Sequence, residues 1–197
     1  MRFATNWTAA AFLAAALGLA PATLQAQVHA QGSCWIQRDA EQATWLHAQG
    51  DPLCLLQFPA SCYGGMMMPD SLNCDFRTAP PESMPGGCAA AYDLHIRNPQ
   101  GGCMMTGGMT FRRQLTLTLH YDPQAVAALG IPSEDIVLIR RASTGYEIVT
   151  AATHDPEAAL FHLSTTLPST WYGVADRSHL PLAVAAASWS TIKAFYH

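Results

Sequence analysis

The sequence predicts a mainly β protein: a β-sandwich preceded by a short helix and a disulfide-rich, loop-rich segment. Three observations carry this reading. First, Leu115, Leu117, Leu119 and Tyr121 alternate with Gln114, Thr116, Thr118 and His120, the pattern of a strand with one buried face. Second, short apolar or β-branched runs recur downstream with turn residues between them. Third, all six cysteines lie upstream of that region, from Cys34 to Cys103.

The totals narrow the class. Of 197 residues, 50% are hydrophobic and 12% are charged, which suits a chain that buries a core. The formal charge is −4, the one lysine is Lys193, and no basic run exists. Nucleic acid is excluded as a partner, because displacing its counterions needs clustered cations. The N-terminus reads as an export signal of residues 1–26. Arg2 supplies the positive start, Ala9 to Ala20 the apolar run, and Pro21 the break. Cleavage fits after Ala26 and equally after Ala30. Loss of residues 1–26 removes Arg2 and no acid, taking the charge from −4 to −5. The apolar run is too short to span a bilayer, so no transmembrane segment is expected after cleavage. A lipid anchor on Cys34 is disfavoured by Gln31 three places before it. The protein is therefore expected in the periplasm or outside the cell.

An even cysteine count in an exported chain reads as three disulfides. They would join Cys34, Cys54, Cys62, Cys74, Cys88 and Cys103, in a pairing that spacing does not fix. Cys88 and Cys103 bracket one strand and its turn, which makes them the first pair to test. The expected organisation is a Cys/Met-rich, disulfide-stapled segment over 27–90 and a β-sandwich over 91–197.

Taken in order, Asp39 and Gln42 form a capping-box arrangement, and Ile36, Ala40, Ala43 and Leu46 recur at helical spacing. That predicts a short helix ending at Gly50-Asp51-Pro52. Cys54 to Cys88 is punctuated by proline and glycine and shows little periodicity. Tyr92, Leu94 and Ile96 alternate with polar residues as a strand, and Asn98-Pro99-Gln100-Gly101-Gly102 is a turn. After the Leu115–Tyr121 strand, Gln124 to Leu129 fits a helical turn stopped by Gly130. Ile136 to Arg140 and Tyr146 to Thr150 read as a hairpin across Ala142-Ser143-Thr144-Gly145. Leu160 to Leu163 and Trp171 to Ala175 read as two further strands.

The run Leu115 to Pro123, then Gly130 to Asp135, Ile136 to Arg140 and Ser169 to Val174, resembles a recurrent β-sandwich module of bacterial secreted and cell-surface proteins. The resemblance spans residues 111–175. It implies a structural or binding unit with no catalytic residues. The chain departs from it at Trp171 in the closing strand and in the cysteine-rich segment ahead.

Methionine is concentrated. Met66, Met67, Met68, Met84, Met104, Met105 and Met109 are seven of the eight in the chain. Thioethers are soft ligands that select Cu(I), so Met66, Met67, Met68, His95, Met104, Met105 and Met109 form a candidate copper set. The competing reading is that flexible methionines fill irregular gaps in loops, and no tight ligand spacing opposes it. Histidines are scattered, among them those at 47, 95, 120, 154, 162, 179 and 197. His120 and His162 would share a surface metal only if their strands are neighbours. No Gly-x-Ser-x-Gly elbow is present. His154 and Asp155 with Ser164 or Ser169 are the one triad that can be drawn, and each has an ordinary turn role. Glu134, Asp135, Asp155 and Glu157 likewise flank turns rather than forming a paired-carboxylate site. Trp35, Trp45, Trp171, Tyr172, Trp189, Phe195 and Tyr196 offer flat surfaces for sugar or protein, with only one of Trp171 and Tyr172 pointing inward. The expected function is a non-catalytic, exported structural or interaction module binding protein or carbohydrate. A periplasmic copper-handling protein is the alternative. No cofactor is expected on the first reading.

Overall fold

The computed structural model describes residues 28–64, 69–84, 88–99, 110–142 and 145–180. The chain runs β1 (Val28–Gln31), β2 (Ser33–Gln37), β3 (Thr44–His47), β4 (Leu55–Phe58), β5 (Ser71–Ala79), β6 (Cys88–Arg97) and β7 (Leu115–His120). Helix α1 (Pro123–Ala128) follows, then β8 (Ile136–Ala142), β9 (Gly145–Ile148), β10 (Thr153–Asp155), β11 (Leu160–Thr165) and β12 (Trp171–Asp176). One six-stranded sheet has the order β1-β3-β4-β7-β11-β10 and the other β2-β5-β6-β12-β8-β9. Among the described strands β1 and β3 run parallel and the other ladders are antiparallel. Among the described residues no helix is long and apolar enough to cross a membrane.

The period-2 pattern decides which side chains meet. Leu115, Leu117 and Leu119 of β7 are fully buried, while Thr116, Thr118 and His120 between them are half-buried. Leu46, Leu56 and Phe161 join them from the first sheet; Ile36, Phe76, Tyr92 and Val174 join from the second. All belong to one buried cluster, so the two sheets share a core. Each buried side chain of leucine size contributes about 1.5–3 kcal/mol of transfer free energy. Tyr92 reaches across this core: its hydroxyl donates to the carbonyl of His120 at 2.5 Å, which satisfies a polar group that burial would otherwise penalise. A smaller apolar cluster, including Met84, Cys88, Val137 and Ile139, lies on the opposite face of the second sheet.

Most expected strands appear in place, and α1 matches the helical turn expected before Gly130. Asp122 caps it by accepting from the Gln124 amide at 2.8 Å, and Pro123 sits in its first turn. The helix expected after Asp39 is not formed. Residues 38–39 form a turn, with Asp39 at φ 54°, residues 41–42 a bend, and β3 follows. In β3, Thr44 and Leu46 point inward while Trp45 and His47 are only half-buried. A β-branched residue and an aromatic fit that alternation, and the pairing of β3 with both β1 and β4 outweighs a weak helical stripe. The segment expected to be loop-rich holds β4 and the nine-residue β5. Strands on both sides of residue 90 therefore lie in both sheets.

Cys34, Cys54, Cys62, Cys74 and Cys88 are all buried and all free thiols. The expected disulfide framework is not formed among them. Cys103, and with it the suggested Cys88–Cys103 pair, lies outside the described residues, as do the signal segment and Met66, Met67, Met68, Met104, Met105 and Met109.

Candidate groove on the second sheet

The sheets come together where β1 gives way to β2. Gly32 stands between them at φ +74°, a conformation natural to glycine. Its amide donates to the carbonyl of His47 in the first sheet at 2.8 Å. Its carbonyl accepts from the amide of Phe76 in the second sheet, also at 2.8 Å. Beside it, Gln49 forms an isolated parallel bridge with Arg77. The Gln49 amide donates to Phe76, and the Thr78 amide donates to Gln49, each at 2.9 Å.

This seam opens into a groove of about 670 Å³, lined by Gln31, Gly32, Ser33, Gln49, Asp75, Arg77, His95 and Arg97. Register explains why so many polar groups converge. Leu72, Cys74 and Phe76 of β5, and Leu94 and Ile96 of β6, take the core side. The residues between them must then face outward. Pairing of β5 with β6 sets Asn73 opposite Arg97, Asp75 opposite His95 and Arg77 opposite Asp93. Pairing of β2 with β5 adds Ser33 beside Asp75 and Trp35 beside Asn73.

The charges on this face are paired. Arg77 donates from Nε at 2.9 Å and from Nη2 at 2.7 Å to Oδ2 of Asp93. Asp93 is 1% exposed, and its Oδ1 lies 2.7 Å from His95 Nε2 but without hydrogen-bond geometry. Arg97 approaches Asp75 at 3.6 Å. Two guanidiniums thus stand against two carboxylates, and their formal charges cancel. Arg77 is 60% exposed, so its remaining donors face solvent. Asn73 donates to the Ser33 hydroxyl at 3.2 Å, fixing the neighbouring edge strand. Trp35 is 53% exposed and lies across Asn73 from Arg97 on the same face. The surface offers donors and acceptors in fixed planes with an apolar plate beside them.

The other expected sites fare differently. The strands of His120 and His162 are indeed neighbours, but His120 Nδ1 meets Asp51 at 2.6 Å while His162 pairs with Thr118 at 3.2 Å. Among the described residues no group of three or more potential ligands could hold a metal. Of the copper set only His95 is described, and its Nε2 faces Asp93. His154 and the serines are not brought together. His154 Nε2 lies 2.8 Å from the Tyr121 hydroxyl, Ser169 donates to the Arg141 carbonyl at 3.0 Å, and Ser164 lies opposite Thr116. Asp176, Ser178 and His179 do cluster, but Ser178 donates to Asp176 at 2.7 Å and meets His179 Nδ1 only at 3.5 Å, and that same nitrogen is 2.6 Å from Asp176, so the serine is not set up as a nucleophile. Burial pushes the thiol of Cys54 up to about 12 and those of Cys62 and Cys88 up to about 11, the reverse of an activated nucleophile. Of the aromatics, Tyr172 is buried, and Trp171 packs on the smaller apolar cluster. Trp45 stacks on His29 at 5.9 Å, and Trp35 stands free on the outer face. Trp189, Phe195 and Tyr196 lie outside the described residues.

Sequence reasoning missed the groove residues Asp75, Arg77 and Arg97. Their signal was the alternation Leu72-Asn73-Cys74-Asp75-Phe76-Arg77, hidden because Cys74 was counted as a staple rather than as an inward-facing apolar residue. No family model matches this chain, and no curated protein matches it.

Proposed function

We propose that the protein is an exported, non-catalytic β-sandwich module that binds carbohydrate in the groove between Gln49 and Arg97. The observation that carries this reading is the charge-balanced polar floor with the exposed Trp35 beside it. A neutral polyol needs planar donors and acceptors, such as carboxylates, guanidiniums and amides, that engage its hydroxyls. It also needs a flat apolar surface against the C–H face of the ring. A strongly anionic ligand would call for uncompensated cations, and Arg77 and Arg97 each already have an acid beside them.

The test is binding of the purified chain to a panel of neutral and acidic oligosaccharides, read by calorimetry. Binding to a neutral glycan that is lost in Trp35→Ala and in Arg97→Ala supports the reading. Binding that survives both substitutions, or no binding to any member of the panel, overturns it.

A further inference from the structure

We infer that Cys34 and Cys74 are the site of a cross-strand disulfide that fastens the edge strand β2 to β5. This rests on the ladder, the core and the export part of the proposed function, and it stands whether or not the groove binds carbohydrate.

Cys34 and Cys74 are direct partners in the antiparallel β2–β5 register. Directly opposed residues have Cα atoms about 4.5–5.5 Å apart. Disulfides span Cα separations of about 4.4–6.8 Å, so the ladder spacing suits a bond between these two residues, which stand as free thiols in this structure. Both side chains point to the core side, at 8% and 0% exposure. Both belong to the same buried cluster between the sheets. No other described cysteine is placed this way. Cys88 faces Ala175 across its ladder, and Cys54 Sγ sits against the backbone of His120, accepting from its amide at 3.2 Å. Strand β2 is an edge with β5 as its one ladder neighbour, so a covalent tie to β5 would hold it in place.

The two sulfurs are not equivalent. Cys34 lies on the edge strand β2 and Cys74 on the internal strand β5, so Cys34 is the more accessible of the two, at 8% against 0% exposure. Cys34 is therefore the attacking thiolate, and the oxidant is an external disulfide, either a small molecule or a thiol–disulfide oxidoreductase. Cys34 S⁻ attacks one sulfur of that disulfide, forming a mixed disulfide and releasing one thiolate. That thiolate takes the Cys74 proton. Cys74 S⁻ then attacks the Cys34 sulfur and expels the second thiolate, which takes from water the equivalent of the proton Cys34 gave up on ionising. The protein loses two thiol hydrogens and two electrons, and the external disulfide becomes two thiols. The reaction takes place as β2 docks, before the core closes over both sulfurs.

The test uses the full chain purified from an oxidising compartment without reductant, alkylated while denatured and digested without reduction. The expected result is a cross-linked peptide pair joining Cys34 to Cys74 that separates on reduction. Finding both residues alkylated, or either joined to another cysteine, overturns the inference. Thermal melts give an independent readout. Reductant is expected to lower the wild-type Tm by roughly 5–15 °C, from the loop-closure range and the size scaling of Tm. The same reductant should leave Cys34→Ala/Cys74→Ala unmoved. Equal reductant sensitivity in wild type and double variant overturns the inference as well.

Discussion

Arg77 and Asp93 face each other across the β5–β6 ladder, with Nε and Nη2 of the guanidinium both on Oδ2 of a carboxylate that is 1% exposed. The pair is lopsided, because the acid is sunk in the sheet while the base is 60% in solvent. Removing the base strands a buried charge; removing the acid releases a cation already largely hydrated. Arg77→Ala is therefore expected to cost about 1.5–3 kcal/mol, the range for hydrogen bonds to charged groups. Asp93→Ala should cost clearly less. Urea denaturation of both variants and of the double variant closes the cycle. A larger loss in Asp93→Ala than in Arg77→Ala would show that the carboxylate is not held by Arg77.

Trp35 separates binding from stability. Its ring lies on the outer face of an edge strand and contributes little to the core. Trp35→Ala should change stability by no more than about 0.5 kcal/mol, as exposed substitutions do. The same variant should lose most of the affinity for a neutral glycan, since ring stacking is what the site would forfeit. Paired melting and titration of one preparation checks both halves. A variant that unfolds more readily by several kcal/mol would place Trp35 in the core and remove it from the site.

His154 gives the protein an acid-sensitive contact. Its ring stacks on Phe161 at 4.4 Å and 11°, and its Nε2 is 2.8 Å from the Tyr121 hydroxyl, from which a neutral imidazole accepts. Burial lowers its pKa from the usual 6.5, with Asp155 acting in the opposite direction. The unfolded chain therefore binds the proton more readily than the folded one, and stability rises with pH in this window. The contribution is intact above pH 6.5 and is lost as the pH falls from there towards the folded value. His154→Gln should show a smaller drop in urea midpoint between about pH 7.5 and about pH 5.5 than the wild type does. An identical drop would assign the acid sensitivity to other groups.

How much of this was legible in the chain depends on what masked the alternation. β7, β8, β11 and β12 carry bare apolar/polar patterns between clear turn residues, and the sequence predicts all four. Asp122-Pro123 and Gly130 bound α1 by local chemistry alone, so it too was readable. β3 was not, because a capping-box pattern and four residues at helical spacing imitate a short helix when strand partners are unknown. β5 was not, because a cysteine between Leu72 and Phe76 reads as a cross-link before it reads as a core residue. The groove needs three strands in register and a crossover at Gly32, relationships between segments up to 66 residues apart from Gln31 to Arg97. No local pattern contains them.

Gly32 is where that long-range geometry can be challenged by one methyl group. At φ +74° an L side chain is strained, and an added Cβ would lie 3.2 Å from Gln49 Cβ, which lines the groove. Gly130 supplies the matched control, with φ +67° and no atom within 4 Å of an added Cβ. Both alanine variants should lose about 1–2 kcal/mol to the left-handed backbone. Gly32→Ala alone should also weaken glycan binding, because Gln49, which lines the groove, must shift to relieve the contact. Calorimetric titration of the two variants beside the wild type separates the effects. Equal binding by Gly32→Ala and Gly130→Ala would mean that the crossover sets the fold without setting the groove.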